Sequence, residues 1–172
     1  MEEPDFASTV GLFGTCGASR GREPLIERFS AEGIPFFNPQ VAEGAWHPGL
    51  VALENEHLRK DGLVVFAVTE ETTGQGSLAE IGFSILNAYR SNRSRCLVYL
   101  IAATCADPKA SETQVAESLR SRALVSSKLA DEARSNPYLY LARSLADLPD
   151  MVTDLWKAQE AMRAAAARWS RG

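Results

Sequence analysis

Five short apolar runs, rich in β-branched and aromatic residues, punctuate the chain: TVGLFG at 9–14, IPFF at 34–37, LVVFAV at 63–68, CLVYLIA at 96–102 and YLYLA at 138–142. Their hydrophobicity is continuous rather than alternating, which is the pattern of strands covered on both faces. Between them lie segments of helical character: PLIERFSAEG, GLVALENEHLRKDG, SLAEIGFSILNAYR, and a longer one from Pro108 to about Ser135. After the fifth run, LPDMVTDLWKAQEAMRAAAARW reads as a closing helix whose start is marked by Pro149 and Asp150. The β-α unit therefore recurs five times, and right-handed crossovers make that order a parallel sheet with helices on both sides. The expectation is a flavodoxin-like α/β three-layer sandwich whose five strands run in the order 2-1-3-4-5.

Length and composition narrow the picture. A chain of 172 residues without an internal repeat or linker predicts a single domain over 1–172. Its 45% hydrophobic and 23% charged residues, with a net charge of -4, are those of a soluble globular protein with no general attraction to nucleic acid polymers or anionic membranes. Cys16, Cys96 and Cys105 are odd in number and lack metal-ligand spacing, which points to a reduced compartment. The acidic start MEEPDFAS has no apolar signal core, and no apolar run nears the roughly 20 residues of a membrane span, so the expected location is the cytoplasm.

Ligands of such sheets bind beyond the carboxyl ends of the strands, near the switch between strands 1 and 3. The loops at that point, GTCGASRGRE and TEETTGQGS, are also the most glycine-rich stretches of the chain. Glu80 follows the second loop, in a helix that Ile81, Phe83 and Ile85 would bury. It reads either as a glutamate favoured by the helix dipole or as a carboxylate raised to the ligand edge, and Gly74, Gly76 and Gly82 around it would admit a close approach. In the first loop, Gly14, Gly17 and Gly21 surround Thr15, Ser19, Arg20 and Arg22. Backbone N–H groups at a helix start and two guanidinium groups make an anion site there, unless the arginines merely face solvent. The spacing matches neither a P-loop nor a dinucleotide-binding fingerprint.

Trp46 could stack on a nucleobase or cover the edge of the core. His47 and His57 lack a zinc spacing, and neither a metal nor another cofactor is expected. Arg122 could reach a phosphate, although a solvated helix face is the simpler reading.

The pattern G-x-G-S-x-x-E-x-G, formed by Gly74, Gly76, Ser77, Glu80 and Gly82 after an apolar strand, resembles the signature of nucleoside 2-deoxyribosyltransferases and the related deoxynucleoside monophosphate N-glycosidases. The segment GLFGTCGASRGRE is similar to that superfamily's opening strand and substrate loop, and AWHPGLVALENEHLRKDGLVVF to its middle region. The likeness covers residues 8–102.

It implies that Glu80 attacks C1′ of a (deoxy)ribosyl group, displaces the base, and forms a covalent glycosyl-enzyme later passed to another base or to water. The helix start would help keep that carboxylate ionised. The resemblance also implies a second carboxylate. Asp61 sits at the amino edge of the sheet, so Glu54, early in the preceding helix and two residues from Glu56, is preferred over its alternative reading as part of a solvated helix face. Gly14, Thr15, Ser19, Arg20, Arg22, Trp46, Gly76 and Ser77 would bind the nucleoside or nucleotide, and a homodimer or larger assembly would complete the site. Two features depart from the family: EETTGQG lacks an aspartate after Glu71, and Phe13 stands where a tyrosine is common. Other readings are a nucleotide-binding sensor without turnover and a glycosidase of NAD-like dinucleotides, the latter by fold analogy.

Overall fold

A computed structural model of the chain describes residues 5–16, 19–41, 47–91 and 94–169. Trp46 lies outside the described residues.

The elements alternate strictly: β1 (Val10–Gly14), α1 (Glu23–Glu32), β2 (Phe36–Phe37), α2 (Pro48–Lys60), β3 (Leu63–Val68), α3 (Gln75–Ser91), β4 (Cys96–Ile101), α4 (Glu112–Glu132), β5 (Leu139–Leu141) and α5 (Leu148–Trp169). All strand pairs are parallel, in the order β2-β1-β3-β4-β5, as the sequence predicts. The register puts Gly14 beside Ala67 and Val68 beside Ile101, so the loops after β1, β3 and β4 leave one edge of the sheet together.

The two faces of the sheet explain why its strands are apolar throughout. On one side Leu12, Val65 and Val98 pack with Leu25 and Phe29 of α1 and Leu148 and Val152 of α5. On the other, Phe13, Val64, Phe66 and Leu97 meet Leu58 of α2, Leu78 and Ile81 of α3, and Leu129 of α4. Successive strand side chains point to opposite faces, so each face needs its own apolar set. Met151, Leu155 and Trp156 of the closing helix join the α1–α5 side of the core.

Local chemistry sets several boundaries differently from the sequence reading. α4 starts at Glu112 rather than Pro108, because Ser111 and Gln114 form a reciprocal capping box that satisfies the first N–H groups. β2 is only two residues long. Phe83 was expected in the core but is 64% exposed, and Ile85 is only half-buried; Leu78, Ile81 and Ala88 bury the helix instead. Arg122 is 1% exposed, so it does not lie on a solvated face.

Candidate active site

The site is assembled where β1 and β3 end. Gly14 closes β1 with φ +127, a backbone region open to glycine, and lets the strand pass so near β3 that a Cβ there would stand 2.2 Å from the Ala67 carbonyl oxygen. Beyond it, the hydroxyls of Thr15, Ser19 and Thr69 form a buried triangle: Thr15 to Ser19 2.9 Å, Thr15 to Thr69 2.8 Å, and Ser19 to Thr69 2.8 Å. These bonds knit the first loop to the end of β3. Ser19 was expected to contact substrate, yet its hydroxyl is consumed in this triangle and the residue is 5% exposed.

The two arginines of the first loop divide their tasks. Arg20 is exposed and pairs with Glu23 at 2.7 Å, as a surface ion pair rather than part of the cavity wall. Arg22 is 2% exposed; its Nη1 donates to Asn38 Oδ1 at 2.9 Å, and its Nη2 to the carbonyls of Gly14 at 2.6 Å and Thr15 at 3.2 Å and to Cys16 Sγ at 3.4 Å. The Nη groups expected to clasp a phosphate therefore hold the loop in shape. The cationic charge still reaches the site, where it favours the ionised forms of both Glu80 and Glu54.

Glu80 lies on the second turn of α3, exposed, and borders two recesses. One, of about 310 Å³, opens between the loops after β1 and β3 and is lined by Gly14, Thr15, Cys16, Thr73, Gly74 and Ser77. The other, of about 560 Å³, runs between α2 and α3 past Ala52, Asn55, Arg59 and Phe83. Crowding by the walls raises the carboxyl's pKa above 4.5, and the carboxylate of Glu54 raises it further, while Arg22 pulls it back. The helix start was expected to keep Glu80 ionised. Desolvation and the Glu54 carboxylate act the other way, and Glu80 lies beyond the first turn, where the dipole's effect fades.

Glu54 is half-buried at mid-helix in α2, not early in it, and desolvation raises its pKa too. The charge of Glu54 reaches Glu80. Asp61 is fully buried at the opposite edge of the sheet, shares a hydrogen bond with His57 Nδ1 at 2.9 Å, and burial pushes its carboxyl up to about 8. Gly76 and Ser77 line the same recess as Glu80, and a Cβ at Gly76 would meet no atom within 4 Å, which leaves free space beside the carboxylate.

A separate cavity of about 330 Å³ lies at the amino edge, among Gly62, Cys96, Tyr138, Tyr140 and Met162. Among the described residues its walls include no carboxylate, unlike those of the loop recess. All three cysteines are free thiols.

The partners of Glu80 are thus the charges of Glu54 and Arg22, drawn from α2 and from the loop before α1. Two carboxyls that hold their protons longer than usual, near enough for their charges to interact beside a fixed cation, can divide the work of nucleophile and proton carrier. The sequence showed the glycine-rich loops. It did not show the hydroxyl triangle or the buried anchoring arginines, whose only local signal is polar residues flanking apolar strand ends. Comparison with known proteins yields no relative: no family model matches the chain, and neither a curated protein nor a solved structure does.

Proposed function

We propose that the protein cleaves the N-glycosidic bond of a nucleoside or nucleoside 5′-monophosphate, carrying the (deoxy)ribosyl group on Glu80 before passing it to water or a second base. The observation that carries this reading is the position of Glu80, open to a recess at the carboxyl edge and within reach of the charges of Glu54 and Arg22. As the C1′–N bond breaks and the base departs with its electron pair, a Glu80 oxygen bonds to C1′, its charge stabilising the oxocarbenium-like state. Glu54 holds its proton to higher pH than an ordinary glutamate, which suits it to protonate the leaving nitrogen. Ionised afterwards, it can take a proton from the incoming water, whose oxygen bonds to C1′ and frees Glu80. The test is incubation with a panel of nucleosides, their 5′-monophosphates and NAD, with chromatography for free base. Release from a nucleoside or monophosphate is expected; binding without release from any compound would overturn the reading in favour of a sensor.

The pH profile follows from the neighbours of Glu80. Its ionised form is the nucleophile, so kcat/KM should fall as pH drops through a value above 4.5. Replacing Glu54 by Gln removes a negative neighbour, which lowers the pKa of Glu80 and moves the acid limb to lower pH, while kcat falls by about 10- to 100-fold for want of the proton donor. An acid limb that stays in place would remove Glu54 from the site.

The assembly belongs to the same proposal. Val51 and Leu53 of α2 and Phe83 and Leu86 of α3 are exposed apolar side chains, on helices that flank the larger recess. A second copy of the chain covering them would roof the cleft and exclude water. Light scattering after size exclusion is expected to give a dimer or larger species for the natural chain and a monomer for Phe83→Asp; a monomeric natural chain would refute it. Among the described residues, no helix is long and apolar enough to cross a membrane.

A further inference from the structure

We infer that Arg122 of α4 is a positioning residue that fixes the loop between β3 and α3 in the shape the Glu80 recess requires, acting on turnover without touching the ligand. The inference rests on reading Glu80 as the reacting carboxylate. Its basis is a guanidinium in which every N–H is used. Nε donates to Ser118 Oγ at 3.0 Å, Nη1 to the carbonyls of Val68 at 3.3 Å and Ala102 at 3.0 Å, and Nη2 to those of Thr69 at 2.9 Å and Thr72 at 2.7 Å. A guanidinium has five N–H donors, so none remains for a phosphate or sugar.

Ser118, one turn earlier on α4, completes the clasp by donating its hydroxyl to the Thr73 carbonyl at 2.8 Å. Four carbonyls, that of Val68 at the end of β3 and those of loop residues 69, 72 and 73, thus converge on two side chains of a single helix. Thr72, Thr73 and Gly74 line the recess that holds Glu80, so this clasp is the back of the ligand wall. Gly74 follows with φ +66, and a Cβ there would approach Arg122 Nη2 to 3.3 Å and Val68 Cγ1 to 2.8 Å. The chain turns tightly around the guanidinium just before α3 begins.

A lysine cannot substitute: an ammonium on one stem offers three donors from a single point, whereas these acceptors are spread around a plane. Misplacing a reacting group by about 1 Å costs about a hundredfold in rate, so freeing the loop that leads into Glu80 reaches the chemistry from behind the wall.

The experiment compares Arg122→Lys and Ser118→Ala with the natural chain by amide hydrogen exchange and by steady-state base release, well below each protein's unfolding temperature. Exchange over residues 69–76 is expected to quicken by about tenfold or more while β1 and β4 stay protected, with kcat down about 10- to 100-fold, KM changed far less, and the acid limb of the pH profile unmoved. Ser118→Ala, which keeps the guanidinium, should shift both readouts the same way by less, and it carries the test if Arg122→Lys does not fold. Unchanged loop exchange in Ser118→Ala and Arg122→Lys, or activity that merely follows the folded fraction, would overturn the assignment. The exchange measurement needs no turnover. A natural chain that releases no base refutes the glycosidase reading, and loop exchange still decides whether Arg122 holds the loop.

Discussion

Glu80→Gln is expected to stop base release, lowering kcat by roughly a thousandfold or more, because an amide is a far poorer nucleophile than a carboxylate and cannot neutralise a developing sugar cation. The substitution keeps the shape of the side chain and removes a charge that Glu54 repels. Since Glu80 is exposed, the unfolding temperature should change by no more than about 2 °C. Nucleotide affinity, read by calorimetry, should stay within a few fold. Intact-mass spectra should show a sugar adduct on the natural chain during turnover and none on the variant. Undiminished release by the variant would end the nucleophile assignment, whatever became of the fold.

The second large effect falls on stability. Gly14→Ala places a methyl group 2.2 Å from the Ala67 carbonyl oxygen and 2.7 Å from its carbon, at φ +127 where L side chains are strained. Both contact atoms are backbone of β3 in the middle of the sheet, so neither can move without breaking the β1–β3 register. A cost of roughly 4 kcal/mol or more is expected, which lowers the unfolding temperature of a chain this size by roughly 10 °C. Gly82→Ala is the contrasting control. Its Cβ would meet nothing within 4 Å, and it lies inside α3, where alanine is the better helix former, so stability should rise by up to about 1 kcal/mol. A small loss for Gly14→Ala in thermal unfolding would mean that the strands separate at this point more readily than their pairing suggests.

The contrast between these glycines also shows what pattern reading can and cannot reach. Gly14, Gly74, Gly76 and Gly82 look alike as letters near a loop. Gly14 and Gly74 have positive φ and a crowded Cβ position, whereas Gly76 and Gly82 face open space. The difference depends on which backbone runs alongside, and that is set by strand pairing between residues over fifty positions apart.

The arginines teach the same lesson. Arg22, Arg95 and Arg122 are among the largest fully buried side chains, each donating to backbone carbonyls. An arginine in a helix or loop is ordinarily exposed, so neither position nor spacing marks these as interior. Phe83 fails in the other direction: apolar and at helical spacing, it points away from the sheet because α3 turns Leu78, Ile81 and Ala88 inward.

By itself, the amino-acid sequence determined the alternation of strands and helices, the parallel sheet with its 2-1-3-4-5 order, and the edge where the glycine-rich loops gather, because hydrophobic run length, turn residues and crossover handedness are local or topological constraints. It also singled out Glu80 and preferred Glu54. Only the tertiary structure decided that Arg22 and Arg122 hold loops, that Ser19 belongs to a hydroxyl triangle, and that the recess walls and the Glu54 charge push the Glu80 carboxyl upward. Hydrogen-bond partners and desolvation depend on distances between segments remote in the chain, which the folded packing fixes and the linear pattern does not.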